Sequence, residues 1–289
     1  MTADVGGFLH RHRSVTPYLL LAPGIAWLAI FFVVPLVFLG YQSLESGSLG
    51  NYSFTWELSN YAEAFTDYRE QLLRSVLYAG IATLVALALA YPLVYWIAFR
   101  GGQWKNLFLL FIVAPFFVTY LIRTLAWLNI LADEGPVVGA LRSIGVLADD
   151  GRLLATSVAV VAGITYNFFP FMALPIYVSL EQVDPRLHEA AKDLYASPLQ
   201  SFLRVTLPLS APGVVAGTLL TFIPAAGDFI NAQLLGTPQQ SMLGNVIQSK
   251  FLELIDYPTA AALSFVLMAT ILAALLVYAK VVGTERLTG

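Results

Sequence analysis

Residues Glu181 to Ala211 read EQVDPRLHEAAKDLYASPLQSFLRVTLPLSA. Asp184 is a good helix N-cap and Pro185 suits the first helical position that follows. Leu187, Ala190, Ala191 and Leu194 then fall at i, i+3, i+4 and i+7, one apolar stripe on a short helix. Arg186, Glu189, Lys192 and Asp193 fill the other faces. Ser197-Pro198 repeats the start signal and predicts a second short helix carrying Leu199, Phe202 and Leu203. Pro208 and Pro212 then close the segment and restart a longer apolar run. An amphipathic helical pair of this kind either lies on a membrane surface or docks into a groove on a soluble partner. The small Ala190 and Ala191 favour docking, because lipid-seeking faces more often carry Trp, Phe or Leu.

Working outward, the segment is flanked by runs long enough to cross a bilayer, which needs about 20 apolar residues as helix. Six such runs are present: Pro17–Leu39, Ser75–Ala98, Leu107–Trp127, Leu153–Leu180, Pro212–Leu235 and Pro258–Val282. The expected fold is all-α: a polytopic membrane protein with six transmembrane helices and the helical pair between the fourth and fifth. Composition agrees. Charged residues are 11% and hydrophobic residues 58% of 289, against about 25% charged in soluble domains. No cysteine is present, which excludes disulfide scaffolds and thiolate metal sites. No basic patch points to nucleic acid.

His10, Arg11, His12 and Arg13 before an apolar run resemble a signal peptide. Pro17–Leu39 is longer than a signal's apolar region, so a retained first helix is expected. With the N-terminus inside, nine Lys and Arg fall on the inner side and six on the outer, which favours cytoplasmic N- and C-termini. The outer segment Asn60–Leu73, with Tyr61, Phe65 and Tyr68, reads as an amphipathic surface helix, and Trp104 and Trp127 as interface anchors. His10, His12 and His188 are scattered and make no metal site.

Glu189-Ala190-Ala191, then Ala196-Ser197-Pro198 and Leu207-Pro208, resemble the EAA loop of ABC importer permeases of the binding-protein-dependent type. In that family the loop forms coupling helices that fit a cleft on a cytoplasmic ATPase. The resemblance therefore assigns coupling to Glu189, Ala190, Ala191, Tyr195, Ser197, Pro198, Leu207 and Pro208. Tyr195 departs from the pattern, which has glycine there. Glycine permits a left-handed turn that costs a bulky residue about 1–2 kcal/mol. The turn is expected to be built differently, or Tyr195 to contact the ATPase. Further stretches resemble polyamine (spermidine/putrescine) permeases: Leu121–Trp127, Phe222–Phe229, Leu234–Gly236 and Gly244–Ile247. The implied division is a first helix and outer loop in 1–73, an importer membrane domain in 74–280 and a cytoplasmic tail in 281–289.

No G-x-x-x-x-G-K-[ST] loop exists in the chain. The resemblance thus implies that this chain is no enzyme and holds no cofactor, with ATP and Mg bound by a separate pair of ATPase subunits. It also implies a homologous second permease, an extracytoplasmic substrate-binding protein and a location in the bacterial plasma membrane. Asp228 is the leading candidate for the substrate pathway, since a carboxylate at membrane depth usually faces a cavity and polyamines are chains of ammonium groups. Pro224 and Gly227 are expected to kink the helix beside it. Tyr166, Phe169 and Asn231 complete the candidate set. The alternatives are an Asp228–Arg123 structural pair and aromatics that serve packing. The rival functions are the same importer architecture for another small solute, a secondary transporter driven by protons or sodium with only Asp228 and Arg123 as candidate groups to run it, a membrane-embedded enzyme and a non-transporting scaffold.

Overall fold

The computed structural model describes residues 16–48 and 50–282. His10, His12, Arg11, Arg13, Arg286 and most of the expected C-terminal tail lie outside them. Five helices are long and apolar enough to span a membrane, and six candidate spans result if one bent pair of helices is taken as a single span.

Helix α1 runs through Thr16–Leu28, a π turn at Ala29–Val33 and Val34–Gln42. The π turn precedes Pro35, whose ring would clash with a carbonyl in a regular turn. None of its apolar span window is buried; only its last turns pack on the final helix. A hairpin of β1 (Glu45–Ser48) and β2 (Asn51–Phe54) follows. The expected surface helix at Asn60–Leu73 is instead α2 (Ser59–Thr66), followed by the start of α3 (Arg69–Arg100). Asn60 is buried, its amide donating to the Ser43 and Glu45 carbonyls at 3.0 Å each.

The third crossing is not one straight helix. A short 3₁₀ turn (Gly102–Trp104) leads into α4 (Lys105–Val113), and a second such turn (Ala114–Phe117) ends it. Val118 and Thr119 are extended, and α5 (Tyr120–Leu131) and α6 (Pro136–Ser143) continue at 98° to the first limb. Pro115 withholds a helical N–H. Phe116, Phe117, Val118 and Thr119 are all weak helix formers, so nothing restores the helix after it.

The fourth crossing is α7 (Ser157–Glu181), capped by the Thr156 hydroxyl, which accepts from the Ala159 N–H. After α8 (Pro185–Asp193), α9 runs continuously over Pro198–Ala226. This corrects the expected second short helix and a span beginning at Pro212. A π turn at Phe202–Thr206 widens the helix just before Pro208 and lets it continue. Pro208 therefore lies within a helix rather than closing a loop. At the other end α9 stops at Ala226 where a kink was expected, and Ile230–Leu235 is a separate helix, α10. Helices α11 (Leu243–Leu252) and α12 (Tyr257–Val282) complete the described residues.

Helices α3, α7 and α9 form the centre. Helix α3 presents a stripe of fully buried Ala79, Ala82, Ala86 and Ala90. Gly213 and Gly217 of α9, four residues apart, face α7. A β-carbon on Gly213 would stand 2.5 Å from the Pro175 carbonyl oxygen, and one on Gly217 2.9 Å from that of Met172. Lipid supplies no hydrophobic drive between helices, so such close approach is how they cohere. Helix α8 lies at one end of this bundle, the arm end, and the hairpin at the opposite end.

Candidate transport site and coupling arm

Two breaks in the helices meet near the middle of the bundle. Tyr120 and Thr124 stand on α5 just past the break at Val118–Thr119. Asp228 lies in the Gly227–Phe229 break, and Asn231 opens α10. Asn167 projects from α7, ten residues from its start, or about 15 Å at 1.5 Å per residue. Non-helical backbone at that depth survives only when protein or a water-filled cavity covers it.

Asp228 is 7% exposed. Its Oδ2 accepts from the Tyr120 hydroxyl at 3.0 Å and from the Asn231 side-chain amide. Its Oδ1 accepts from the backbone N–H groups of Ile230 at 2.9 Å and Asn231 at 3.4 Å. The carboxylate thus closes the N-terminus of α10, where a helix favours negative charge. The Asn231 amide also donates to the Tyr120 oxygen, and the Asn167 amide donates to Thr124 Oγ1 and Asn231 Oδ1, both at 3.2 Å. The Asn167 side-chain oxygen is buried without a donor among the described residues.

The alternative of an Asp228–Arg123 pair is not met: among the described residues Arg123 has no ion-pair partner. Its guanidinium lies instead over the rings of Phe116 and Tyr120, 5.0 and 5.6 Å from their centroids.

The pathway candidates divide. Asp228 and Asn231 share the polar centre. Tyr166 and Phe169 do not reach it; they line an apolar groove of about 610 Å³ with Tyr78, Leu89 and Trp127. Trp127 packs edge-on against Tyr166 at 5.4 Å there. The aromatic residues around the polar centre are Phe116, Tyr120, Phe168 and Phe171. Tyr120, Thr124 and Asn167 were missed as a set. Tyr120, Arg123 and Thr124 at i, i+3 and i+4 share one helical face, and that signal was available. The polar resemblance stretches converge as well: a β-carbon on Gly244 would lie 2.7 Å from the Gly227 carbonyl oxygen, and the Asn245 amide donates to the Phe229 carbonyl at 2.7 Å.

At the arm end, Asp184 caps α8 by accepting from the Arg186 N–H at 2.9 Å. Ser197 and Gln200 form a capping box at the start of α9. His188 holds the arm to the bundle through Ser201 Oγ at 3.1 Å and an edge contact with Phe99. Of the expected apolar stripe only Ala191 is buried. Leu187, Ala190 and Leu194 face outward, beside an exposed Glu189.

Tyr195 does not rebuild the turn. It adopts the left-handed conformation itself, at φ 58°. The Tyr195 N–H donates to the Lys192 carbonyl at 2.9 Å and that of Ala196 to the Ala191 carbonyl at 3.0 Å, the Schellman pattern of a helix end. Its side chain is 97% exposed, so no contact within the chain compensates the strain. Tyr195→Gly is expected to stabilise the isolated chain by about 0.5–1 kcal/mol. Thermal unfolding in detergent would check it, and a lower midpoint would refute the strain.

The fold and its centre define a multi-pass membrane protein built on broken helices with an ordered arm at one end. The family model for "Binding-protein-dependent transport system inner membrane component" matches residues 83–281, and the chain belongs to that family. It is 37% identical to the spermidine/putrescine transport system permease protein PotB of Haemophilus influenzae, over 88% of each chain. Identity to PotB of Escherichia coli is 36%, over 88% of this chain and 93% of that protein. The Escherichia coli inner membrane ABC transporter permease protein YdcU is 32% identical over 96% of this chain and 93% of its own length. Among solved structures, a chain of a bacterial ABC transporter for alginate import shares the fold, with a TM-score of 0.71 at 18% identity over 99% of both chains.

Proposed function

We propose that this chain is one of two permease subunits of an ATP-driven importer for polyamines such as spermidine and putrescine. The observation that carries the reading is the convergence of its permease-like stretches on one buried carboxylate, Asp228, between two broken helices. Half-helix ends at membrane depth are where transporters hold charged solutes, and a carboxylate suits an ammonium group.

The outward face of α8, with Glu189, Ala190, Tyr195 and the neighbouring Ser197 and Pro198, docks on a cytoplasmic ATPase pair that holds ATP and Mg. Leu207 and Pro208 transmit its movement into α9, because that helix is continuous from the arm to Ala226. Closure of the ATPases swings α8 and α9 together, and the Gly227–Phe229 break at the far end of α9 opens or closes around Asp228. A homologous permease forms the other half of the pathway, and an extracytoplasmic binding protein delivers the substrate. The protein sits in the bacterial plasma membrane with both termini cytoplasmic.

The test is reconstitution of the chain in liposomes with the partner permease, ATPase and binding protein, measuring ATP-dependent spermidine accumulation. Accumulation that needs all four components supports the reading. ATPase activity stimulated by the binding protein with a different solute only would keep the importer and discard the polyamine. Uptake collapsed by a protonophore but indifferent to ATP would sink both.

A further inference from the structure

Arg123 is the one charge in the polar centre that the proposed transport cycle leaves unused. It is 8% exposed, and its Nε and Nη1 are buried with no hydrogen-bond partner among the described residues. Buried guanidinium groups are ordinarily paired with carboxylates or hydrogen-bonded. A carboxylate is available in the same cluster, yet the four donors on Asp228 are all neutral groups: Tyr120, the Asn231 amide and two backbone N–H groups. Arg123 is held instead by ring faces, at 5.0 Å from Phe116 and 5.6 Å from Tyr120. It also stands in the first turn of α5, where the helix dipole disfavours a cation. Its hold is therefore weak.

The rings that Arg123 covers belong to the Asp228 centre. Tyr120 presents its face to the guanidinium and its hydroxyl to Asp228. Phe116 continues to Phe171 at 5.1 Å, and Tyr120 to Phe168 at 6.0 Å. An aromatic wall beside a carboxylate is a seat for an organic ammonium ion. The cluster also holds an acceptor without a donor, the Asn167 side-chain oxygen. A primary ammonium group brings three donors. It can bond Asp228 and the Asn167 oxygen while the rings take its charge. The guanidinium in this structure makes neither bond.

We infer that Arg123 is a tethered cation occupying the aromatic seat that the substrate's ammonium group takes during transport, a plug that the substrate must displace. The inference rests on the polyamine reading above and adds to it a specificity device. A filled seat gives small monovalent cations no vacant site, and repulsion by an arriving ammonium group moves Arg123 off the rings.

The test is equilibrium binding of radiolabelled spermidine to the permease pair with its ATPase in nanodiscs, without the binding protein. R123M removes the competitor and is expected to bind about tenfold tighter than wild type. R123K keeps the cation and is expected to match wild type. F116L in the R123M background removes part of the seat and is expected to reverse the gain, which a merely structural role for Arg123 would not produce. R123Q replaces R123M if the latter fails to assemble with its partners. Unchanged or weaker binding in R123M, beside a wild type that binds and accumulates spermidine, overturns the plug and leaves the importer reading standing. A wild type that neither binds nor accumulates spermidine overturns the substrate reading, and the plug with it.

Discussion

Asp228→Asn is expected to lower ATP-dependent polyamine uptake by about ten- to a hundredfold, the worth of one charge-assisted hydrogen bond to an ammonium group. The substitution is nearly isosteric. The remaining side-chain oxygen can still accept from the Ile230 and Asn231 N–H groups that Asp228 now caps, and the new amide can donate to the Tyr120 oxygen, so the cap at the Gly227–Phe229 break is kept while the Asn231 amide loses one acceptor. Asp228→Ala is the harsher change. It strands the Tyr120 hydroxyl and two backbone donors in a buried site and leaves the Asn231 amide only the Tyr120 oxygen, at a cost of about 2–4 kcal/mol. The pair separates two roles. A carboxylate that only pins α10 would leave uptake near normal in the Asn variant and damage assembly in the Ala variant. A carboxylate that meets the substrate would lose uptake in both, with the Asn complex intact. Full uptake by the Asn variant would remove Asp228 from the pathway.

Glu189→Lys is expected to reduce uptake to the ATP-free background and to abolish stimulation of ATPase activity by the loaded binding protein. Glu189 is exposed on α8 and has no ion pair among the described residues, although Arg186 and Lys192 lie three residues to either side. Changes at such positions usually alter a chain's own stability by no more than about 0.5 kcal/mol. A large functional loss would therefore report on a partner. Ala190 is exposed beside it, and Leu187 and Leu194 are exposed on another face of α8, Leu194 at 81%. Reversing the charge places an unpaired cation in the proposed ATPase contact. Normal uptake in this variant would show that α8 carries no coupling contact at Glu189. Loss of uptake with a complex that no longer co-purifies would move the role from signalling to assembly.

The apolar runs located the five long helices and the bent pair, though not the bounds of α9, since lipid leaves the backbone few alternatives to helix. The caps of the arm were legible. Asp184-Pro185 and Ser197-Pro198 are local cap signals satisfied within a few residues, and the structure places a cap at each. The glycine position in the family pattern marked the left-handed turn, but not that Tyr195 would accept it. Local rules give a cost, and only the surrounding helix ends decide whether that cost is borne.

What failed was reading continuity and faces. Pro115 and Gly227 break their helices while Pro208, Pro212 and Pro224 remain inside α9. A proline has the same local effect in each place, and the packing around it decides whether the freed groups find partners. The same holds for the centre. Asp228 and Asn231 were found because a polar residue in an apolar run stands out. Tyr166 and Phe169 lie apart from Asp228 because neighbouring residues on a helix point about 100° apart, and only the packed bundle shows which of them share a cluster. By itself, then, the sequence determined the membrane fold, the arm and the presence of a buried carboxylate, all of which follow from short-range chemistry. The tertiary structure alone decided that Asp228 meets Tyr120 and Asn231 while Arg123 rests on Phe116. Those partners lie on different helices, and their meeting is set by how closely alanine and glycine let α3, α7 and α9 approach.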